Sequence, residues 1–215
     1  MIRKKLLSDR SEWLKERAKR IGGSEAGCLV GANPYCTNVD LWELKTGRRE
    51  ADDLEENRFV RYGTEAEDHL RSLFALDYPE IKVMYEPNNL WLNDDYAFAH
   101  ASLDGWLEDE DGRFGVLEIK TATISSPVQK MQWEGRIPDR YYCQVLWYMA
   151  ITDASFAILK AQLKWETDDV FCVTRHYRID REEVGNDIDL LMAAGRRFYG
   201  YVQRDEKPPL VLPEV

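Results

Sequence analysis

Apolar side chains recur along the chain with two spacings, one typical of helices and one typical of strands. Spacings of three to four residues predict helices over residues 8–20, 38–46, 58–76, 126–134, 138–152 and 181–203. Alternation and short apolar runs predict strands over residues 81–87, 89–93, 96–106, 114–122, 155–163 and 170–179. Helices at both ends of a central block of strands predict an α/β or α+β fold with a mixed sheet.

Turn and capping residues divide these segments. Ser8 or Ser11 is a candidate N-cap for the first helix, and Ser24 follows two glycines as the candidate N-cap of a short second helix. Gly47 is expected to end the helix over residues 38–46, and Pro138 to open the helix over residues 138–152, near its first turn. No linker-like stretch divides residues 1–215, so a single domain is expected, ending in a proline-containing tail over residues 204–215.

The composition excludes several classes of protein. Hydrophobic residues make up 44% of the 215, enough for a buried core. No run of eighteen apolar residues is present and the first residues lack the apolar stretch of a signal peptide, so a cytoplasmic protein without a membrane span is expected. None of the four cysteines forms a C-x-x-C pair, which argues against a zinc knuckle.

The charge is unevenly distributed. The whole chain carries −10, which argues against a protein that coats nucleic acid. Residues 1–20 nevertheless hold eight basic and three acidic side chains, a net charge of +5, which leaves −15 on the remainder. A local basic patch on an acidic body fits an enzyme that guides nucleic acid into one defined channel, although such a run is also typical of a solvated helix face.

The segment 101–122, ASLDGWLEDEDGRFGVLEIKTA, contains the candidate chemistry. In a strand, Leu117 and Ile119 point to one face while Glu118 and Lys120 point to the other. An acid and a lysine in this apolar region are costly to bury unless they are paired or functional. The alternatives are therefore a buried ion pair, or a site in which Glu118 binds a metal and Lys120 acts beside it.

The register of a predicted hairpin decides where Asp104 lies. A two-residue turn at residues 111–112 would place Asp104 opposite Ile119, on the wrong face. A three-residue loop over 110–112, with Gly112 in the left-handed conformation, places Asp104 opposite Glu118 with about 5 Å between their Cβ atoms. Two adjacent carboxylates repel each other unless a cation neutralises them, so Mg²⁺ or Mn²⁺ is the expected cofactor.

A third carboxylate is expected from the helix over residues 58–76. Glu67 lies at the edge of its apolar face, three residues before Leu70, whereas Glu65 lies on the wetter side. An acid at the edge of the core is the more unusual of the two. Glu67 is therefore preferred as a metal ligand, and Glu65 stays open as the alternative.

Several motifs in order resemble one family. The chain contains Arg20 followed by G-G-S, then G-T-E-A-E, A-S-L-D-G, E-I-K and Y-Y-C-Q-V-L-W-Y-M-A. Over about residues 17–155 it resembles the YqaJ-like viral recombinases and lambda exonuclease, within the PD-(D/E)XK nucleases, although Leu103 stands where that superfamily has its nominal proline. The resemblance implies a restriction-endonuclease-like core; it does not extend to residues 155–203.

The resemblance also implies roles for the matching residues. Asp104, Glu118 and the backbone carbonyl of Ile119 match the ligands of one metal ion, and Glu67 matches the acid of a second. Lys120 matches the residue that orients the attacking water, and Gln144 the glutamine that steadies the site. Arg20 and Ser24 match the residues that bind a terminal 5′-phosphate.

The function implied by the resemblance is 5′-to-3′ digestion of linear duplex ends in phage-type recombination. It would use two Mg²⁺ or Mn²⁺ ions, a homotrimer around DNA and a single-strand annealing partner. The alternatives are a structure- or sequence-selective endonuclease on the same core, and an inactive relative that binds DNA ends or a partner protein. The three histidines lack a ligand spacing, though His100 shares a predicted strand face with Asp104. A glycosidase with paired carboxylates would leave Lys120 without a role.

Overall fold

The computed structural model describes residues 1–51, 56–166 and 170–212. Within these ranges the chain forms seven strands and seven α-helices. The strands are β1 Ile2–Leu6, β2 Lys82–Met84, β3 Asn89–Asn93, β4 Gly105–Glu108, β5 Phe114–Thr123, β6 Phe156–Glu166 and β7 Val170–Asp180. The helices are α1 Arg10–Ala18, α2 Gly23–Ala26, α3 Asn38–Lys45, α4 Arg58–Asp77, α5 Pro127–Met131, α6 Asp139–Thr152 and α7 Arg181–Arg204.

Five strands form the central sheet, in the order β2-β4-β5-β6-β7. Strands β5 and β6 are parallel and joined through α5 and α6, whereas the other neighbours are antiparallel. The mixed sheet flanked by helices confirms the predicted fold class. Strands β6 and β7 belong to this same sheet, so the part of the chain after residue 155 completes the core that precedes it.

The two faces of the sheet bury different helices. Helix α6 lies against one face and is buried from Cys143 through Thr152, with α7 packed beyond it in the same apolar cluster. Helix α4 covers the other face through Leu70 and Phe74, which join Leu117 and Ile119 in a second cluster. Side chains of β5 therefore alternate between the two helical layers, as the sequence predicted, and Glu118 points to the α6 side.

The hairpin between β4 and β5 has the predicted three-residue loop. Gly105 pairs with Leu117 and Glu108 with Phe114, and the amide of Asp109 donates to the carbonyl of Arg113. Gly112 adopts a φ of 73°, in the left-handed region. The same register places Asp104 next to Glu118, so the loop geometry sets the position of the candidate site.

Replacing Gly112 by alanine is expected to destabilise the protein by about 1–2 kcal/mol, because a side chain is strained at positive φ. Gly185 in α7 is the matched control, since an added Cβ meets no atom within 4 Å and no positive φ is required there. Gly185→Ala is expected to stabilise the protein by about 0.5–1 kcal/mol. Urea unfolding measures both changes, and an equal effect of the two substitutions would contradict this account of the loop.

Three local predictions were wrong, and one strand was missed. The segment 96–106 was expected to be one strand, but only its last two residues belong to β4; the backbone of Phe98, His100 and Ala101 bonds instead to Ile21 and Trp91. Strand β1 was missed because all five of its residues are exposed, which leaves no alternation to read. The N-cap of α1 is Asp9, not a serine, and the N-cap of α2 is Gly22, so Ser24 is the second residue of that helix.

Other predicted helix boundaries agree with the structure. Gly47 follows α3 with a φ of 72°, and Pro138 is the N-cap of α6. Helix α4 begins and ends within one residue of its predicted range. Among the described helices, none has the length and apolar character required to cross a lipid bilayer.

Candidate active site

A cleft of about 560 Å³ opens beside the residues that precede β4, where β5 continues beyond the start of β4. Its walls include the acidic, basic and amide side chains that the sequence indicated at this position: Glu67, Asp104, Glu118, Lys120 and Gln144. Ser24 also lines it, from α2. The fold therefore brings together side chains from five separate segments of the chain.

Glu118 is the most deeply buried acid of the cleft, with 1% of its surface exposed. Its Oε1 accepts hydrogen bonds from Lys120 Nζ at 2.5 Å and from Gln144 Nε2 at 2.6 Å. Its Oε2 is buried and has no hydrogen-bond partner in the described part of the chain. A buried carboxylate oxygen without a donor is costly, so this atom marks the place where a cation would be bound.

Asp104 is held beside Glu118 by the backbone of β5. Its Oδ2 accepts a hydrogen bond from the amide of Ile119 at 2.8 Å. In a strand, the N–H and C=O groups of one residue point to the same side, so the Ile119 carbonyl also faces the Asp104 side. Two carboxylates and one carbonyl are hard oxygen donors of the kind that Mg²⁺ and Mn²⁺ prefer.

Glu67 approaches the same cleft from α4 and is paired there with a cation. Its Oε1 accepts from Arg71 at 2.6 Å, one helical turn later, and Arg71 also donates to the backbone carbonyl of Asp104 at 2.5 Å. Glu65 is exposed and does not line this cleft. The structure thus places Glu67, rather than Glu65, beside Asp104 and Glu118.

The carboxylates of Glu67, Asp104 and Glu118 repel one another, and this repulsion raises pKa values in the cleft. Burial, followed by the negative charge of Asp104, raises the pKa of both Glu118 and Glu67. Burial alone would lower the pKa of Lys120, but the carboxylates of Glu118 and Asp104 outweigh it and raise this pKa above its usual value. Lys120 is therefore a firmly protonated cation in a group of acids that are hard to ionise together.

These residues fit a divalent cation without forming a closed cage. Within residues 1–51, 56–166 and 170–212, no three carboxylate, imidazole or thiol side chains already form a metal-binding cluster. The donor set consists instead of Asp104, Glu118 and the Ile119 carbonyl, with Glu67 held in its ion pair with Arg71. The partnerless Oε2 of Glu118 and the raised pKa values are the features that a bound cation would relieve.

The basic wall of the cleft is formed by α1. Arg10, Trp13, Leu14 and Arg17 line it, spaced as one face of a helix. The Arg17 guanidinium lies 4.1 Å from the centre of the Trp13 ring. Ser24 faces the same cleft.

Arg20 does not reach this wall, contrary to the position expected from the sequence. Its Nε donates to the carbonyl of Ala97 at 3.3 Å, and its Nη1 lies 3.9 Å from Glu16. Arg20 is absent from the residues that line the cleft. Arg17 lies in the last turn of α1, whereas Arg20 follows the end of that helix, so the two guanidinium groups lie in different surroundings.

The turn before α2 is fixed by an ion pair that the sequence did not indicate. The Gly22 amide donates to Glu25 Oε2 at 2.8 Å, and Lys45 Nζ lies 2.8 Å from the same oxygen while donating to the carbonyl of Arg20. His100 is buried against this turn rather than in the cleft, and burial lowers its pKa well below the usual range. The turn that presents Ser24 is therefore anchored to α3.

Residues 12–155 match the family model of the YqaJ-like viral recombinase domain, and the chain belongs to this family. The uncharacterized protein YqaJ of Bacillus subtilis (strain 168) is 30% identical over 156 residues, which cover 70% of this chain and 46% of the relative. The chain thus spans about half the length of that relative.

Solved structures share the fold at low sequence identity. An alkaline exonuclease from Laribacter hongkongensis superposes with a TM-score of 0.63 at 18% identity, over 91% of this chain and 93% of that chain. Its complex with dAMP gives 0.60 at 16% identity, over 90% and 95%. A phage related exonuclease from Haemophilus somnus 129PT gives 0.56 at 12% identity, over 86% and 96%.

Proposed function

We propose that this protein is a Mg²⁺- or Mn²⁺-dependent nuclease that digests linear duplex DNA from its ends in the 5′-to-3′ direction. The observation that carries the proposal is the pairing of Asp104 with Glu118 beside Lys120, around a buried carboxylate oxygen that has no hydrogen-bond partner among the described residues. The family and the exonuclease folds with which the structure superposes support it. Release of nucleotides from an end-labelled duplex with Mg²⁺, and none with a chelator, is the corresponding test.

The charged and amide residues at the centre of the cleft each have a task in this reaction. Asp104, Glu118 and the Ile119 carbonyl would hold one ion and Glu67 a second; a divalent ion supplies polarisation of the phosphate and a lower pKa for water. Lys120 places a compact positive charge where negative charge develops on the phosphate. Gln144 keeps Glu118 in position through the 2.6 Å hydrogen bond.

A larger groove gives DNA a path to the cleft. It has a volume of about 1230 Å³, and its lining includes Thr121, the residue after Lys120. Its lining combines basic side chains such as Lys130 and Arg140 with aromatic side chains such as Phe59. Cations that follow a phosphate backbone and rings that contact bases are typical of nucleic-acid surfaces. We assign this groove to the DNA that leads into the cleft.

The choice between Glu67 and Glu65 is tested by isosteric substitution. Glu67→Gln is expected to slow hydrolysis by about 10-fold or more, because it removes a carboxylate beside Asp104 and Glu118. Glu65→Gln is the matched control on the same helix, and no loss is expected, since Glu65 lies outside the cleft and removing its negative charge from the larger groove does not weaken DNA binding. Initial rates with Mg²⁺ measure both, and the reverse ranking would contradict the assignment.

The terminal 5′-phosphate is assigned to Arg17 and Ser24, not to Arg20 as the sequence resemblance implied, because only the first two line the cleft. Arg17→Ala is expected to reduce the preference for phosphorylated over hydroxyl ends by about 10- to 150-fold, the worth of a charge-assisted hydrogen bond. Arg20→Ala is the matched control and should retain the preference. Competition between phosphorylated and hydroxyl duplex ends measures this preference. Loss of the preference in Arg20→Ala, but not in Arg17→Ala, would show that Arg20 binds the phosphate.

The remaining parts of the proposal concern the surroundings of the enzyme. We place it in the cytoplasm, as one nuclease domain that acts on duplex ends together with a single-strand annealing protein. A homotrimer that encircles DNA belongs to the same proposal. Sedimentation of the purified protein with and without linear duplex tests the oligomer independently of hydrolysis.

A further inference from the structure

Tyr148 lies at the inner end of the cleft and has no role in the reaction as described above. It follows Gln144 by one turn of α6, so the two side chains share a face of the helix. Only 4% of Tyr148 is exposed, yet it is one of the residues that line the cleft with Ser24, Glu118 and Lys120. A polar group buried at this position is expected to have a partner for each of its hydrogen-bonding functions.

The hydroxyl oxygen of Tyr148 accepts a hydrogen bond, whereas its proton has no acceptor among the described residues. Gln144 Nε2 donates to Tyr148 Oη at 3.1 Å and to Glu118 Oε1 at 2.6 Å, which uses both hydrogens of the amide. The amide of Gln144 must present its nitrogen to Glu118, because a carboxylate oxygen accepts hydrogen bonds and the amide oxygen cannot donate one. Tyr148 O–H is therefore left to donate, and the described residues provide no acceptor for it.

The ring is also fixed from its second side. It packs against Gly23, where an added Cβ would lie 2.3 Å from Tyr148 Cε1. Tyr148 therefore touches the turn that presents Ser24 while its hydroxyl is bonded to the amide that holds Glu118. Burial, followed by the charges of Glu118 and Asp104, raises the pKa of Tyr148, so the hydroxyl keeps its proton.

We propose that Tyr148 is a further catalytic residue whose hydroxyl donates a hydrogen bond to a non-bridging oxygen of the scissile phosphate. This inference rests on the proposed nuclease function and deepens it. A phosphate that enters between Asp104 and Glu118 meets two acids, so it needs donors from the opposite side of the cleft. Lys120 supplies a charged donor, and Tyr148 supplies a neutral one, already oriented by Gln144 and Gly23. No proton is transferred in this role.

The test compares Tyr148→Phe with Tyr142→Phe. Both remove a phenolic hydroxyl from α6, but the hydroxyl of Tyr142 donates to Asp187 at 2.7 Å, outside the cleft. Tyr148→Phe is expected to lower the single-turnover rate by about 10- to 150-fold, because a hydrogen bond to a charged group is lost. Tyr142→Phe should turn over like the wild type, and both variants should unfold cooperatively.

Sulfur substitution at the scissile phosphate separates catalysis from structural support. Sulfur is a weak acceptor, so in the wild type one of the two phosphorothioate diastereomers should be slowed through loss of the Tyr148 contact. For that diastereomer, the ratio of the oxygen rate to the sulfur rate should be smaller in Tyr148→Phe than in the wild type, by about the factor by which Tyr148→Phe lowers the rate on the oxygen substrate. For the other diastereomer, this ratio should be the same in the variant and the wild type. A purely structural role would leave both sulfur effects unchanged and would overturn the proposal.

A second variant covers the case in which Tyr148→Phe does not fold. Site-specific 3-fluorotyrosine at position 148 keeps the ring and makes the hydroxyl a stronger donor, so its turnover rate should equal or exceed that of the wild type. A rate well below the wild type would overturn the proposal. The two possible failures are distinguishable. A wild type that hydrolyses no DNA contradicts the proposed function, whereas an active wild type with an equally active Tyr148→Phe contradicts only the role of Tyr148.

Discussion

Glu118→Gln and Asp104→Asn are each expected to lower the rate of DNA hydrolysis by about 10²-fold or more, with the fold retained. Both substitutions keep the shape of the side chain and remove the negative charge that would bind the divalent ion. Rates of nucleotide release from a duplex at saturating Mg²⁺ measure the effect. Hydrolysis at the wild-type rate by either folded variant would contradict the metal site.

Glu108→Gln is the matched control for this pair, because Glu108 lies on β4 near Asp104 but is exposed and outside the cleft. It should hydrolyse DNA like the wild type. Thermal unfolding adds a readout independent of turnover: an ion at 100 times its Kd stabilises the folded state by about 2.7 kcal/mol. Mn²⁺ should raise the Tm of the wild type and of Glu108→Gln, and raise it much less in Glu118→Gln.

Lys120→Met is expected to cause a loss of similar size, about 10²-fold or more, for a different reason. The thioether chain has nearly the length of lysine, but it lacks the cation that offsets charge on the phosphate. Because Lys120 is not a ligand of the ion, Mn²⁺ should still stabilise this variant, whereas Glu118→Gln should not respond. A Lys120→Met protein that loses both hydrolysis and Mn²⁺ stabilisation would show that the lysine acts only by holding Glu118.

The sequence was sufficient where one local rule set the geometry. Gly112 is compatible with a two-residue or a three-residue loop, and only the three-residue loop places Asp104 opposite Glu118, which is the register of the structure. Helical phase separated Glu67 from Glu65 without knowledge of any tertiary contact, because the helix over residues 58–76 has a single apolar face. The fold class followed from the order of helices and strands alone.

The sequence was insufficient where long-range hydrogen bonds replaced local patterning. Residues 96–104 have the composition of a strand, but their backbone pairs with Ile21 and Trp91, distant segments whose approach no periodicity reveals. The sequence also did not reveal that Arg17, rather than Arg20, lines the cleft, because a motif match does not define which side chains of a segment face a site. The face formed by Arg10, Trp13 and Arg17 was the available signal, at spacings of three and four residues.

Some residues that position the site were also missed. Asn89 is buried and makes two hydrogen bonds to the backbone of Leu103, one residue before Asp104. Arg71 donates to the backbone of Asp104 and pairs with Glu67. Their roles depend on which loops meet in space, so an isolated asparagine or arginine gave no sequence signal. The cleft is thus held by backbone-directed contacts as well as by its own ion pairs.

The most direct test of the central claim compares three forms of the same DNA with the purified protein and Mg²⁺. They are a linear duplex with 5′-phosphates, the same duplex with 5′-hydroxyl ends, and a covalently closed circle, each internally labelled. The account predicts rapid release of mononucleotides from the phosphorylated duplex, slower release from the hydroxyl ends, no cleavage of the circle, and no product with a chelator. Cleavage of the circle as fast as the linear duplex would contradict an end-dependent exonuclease and favour an endonuclease on the same core.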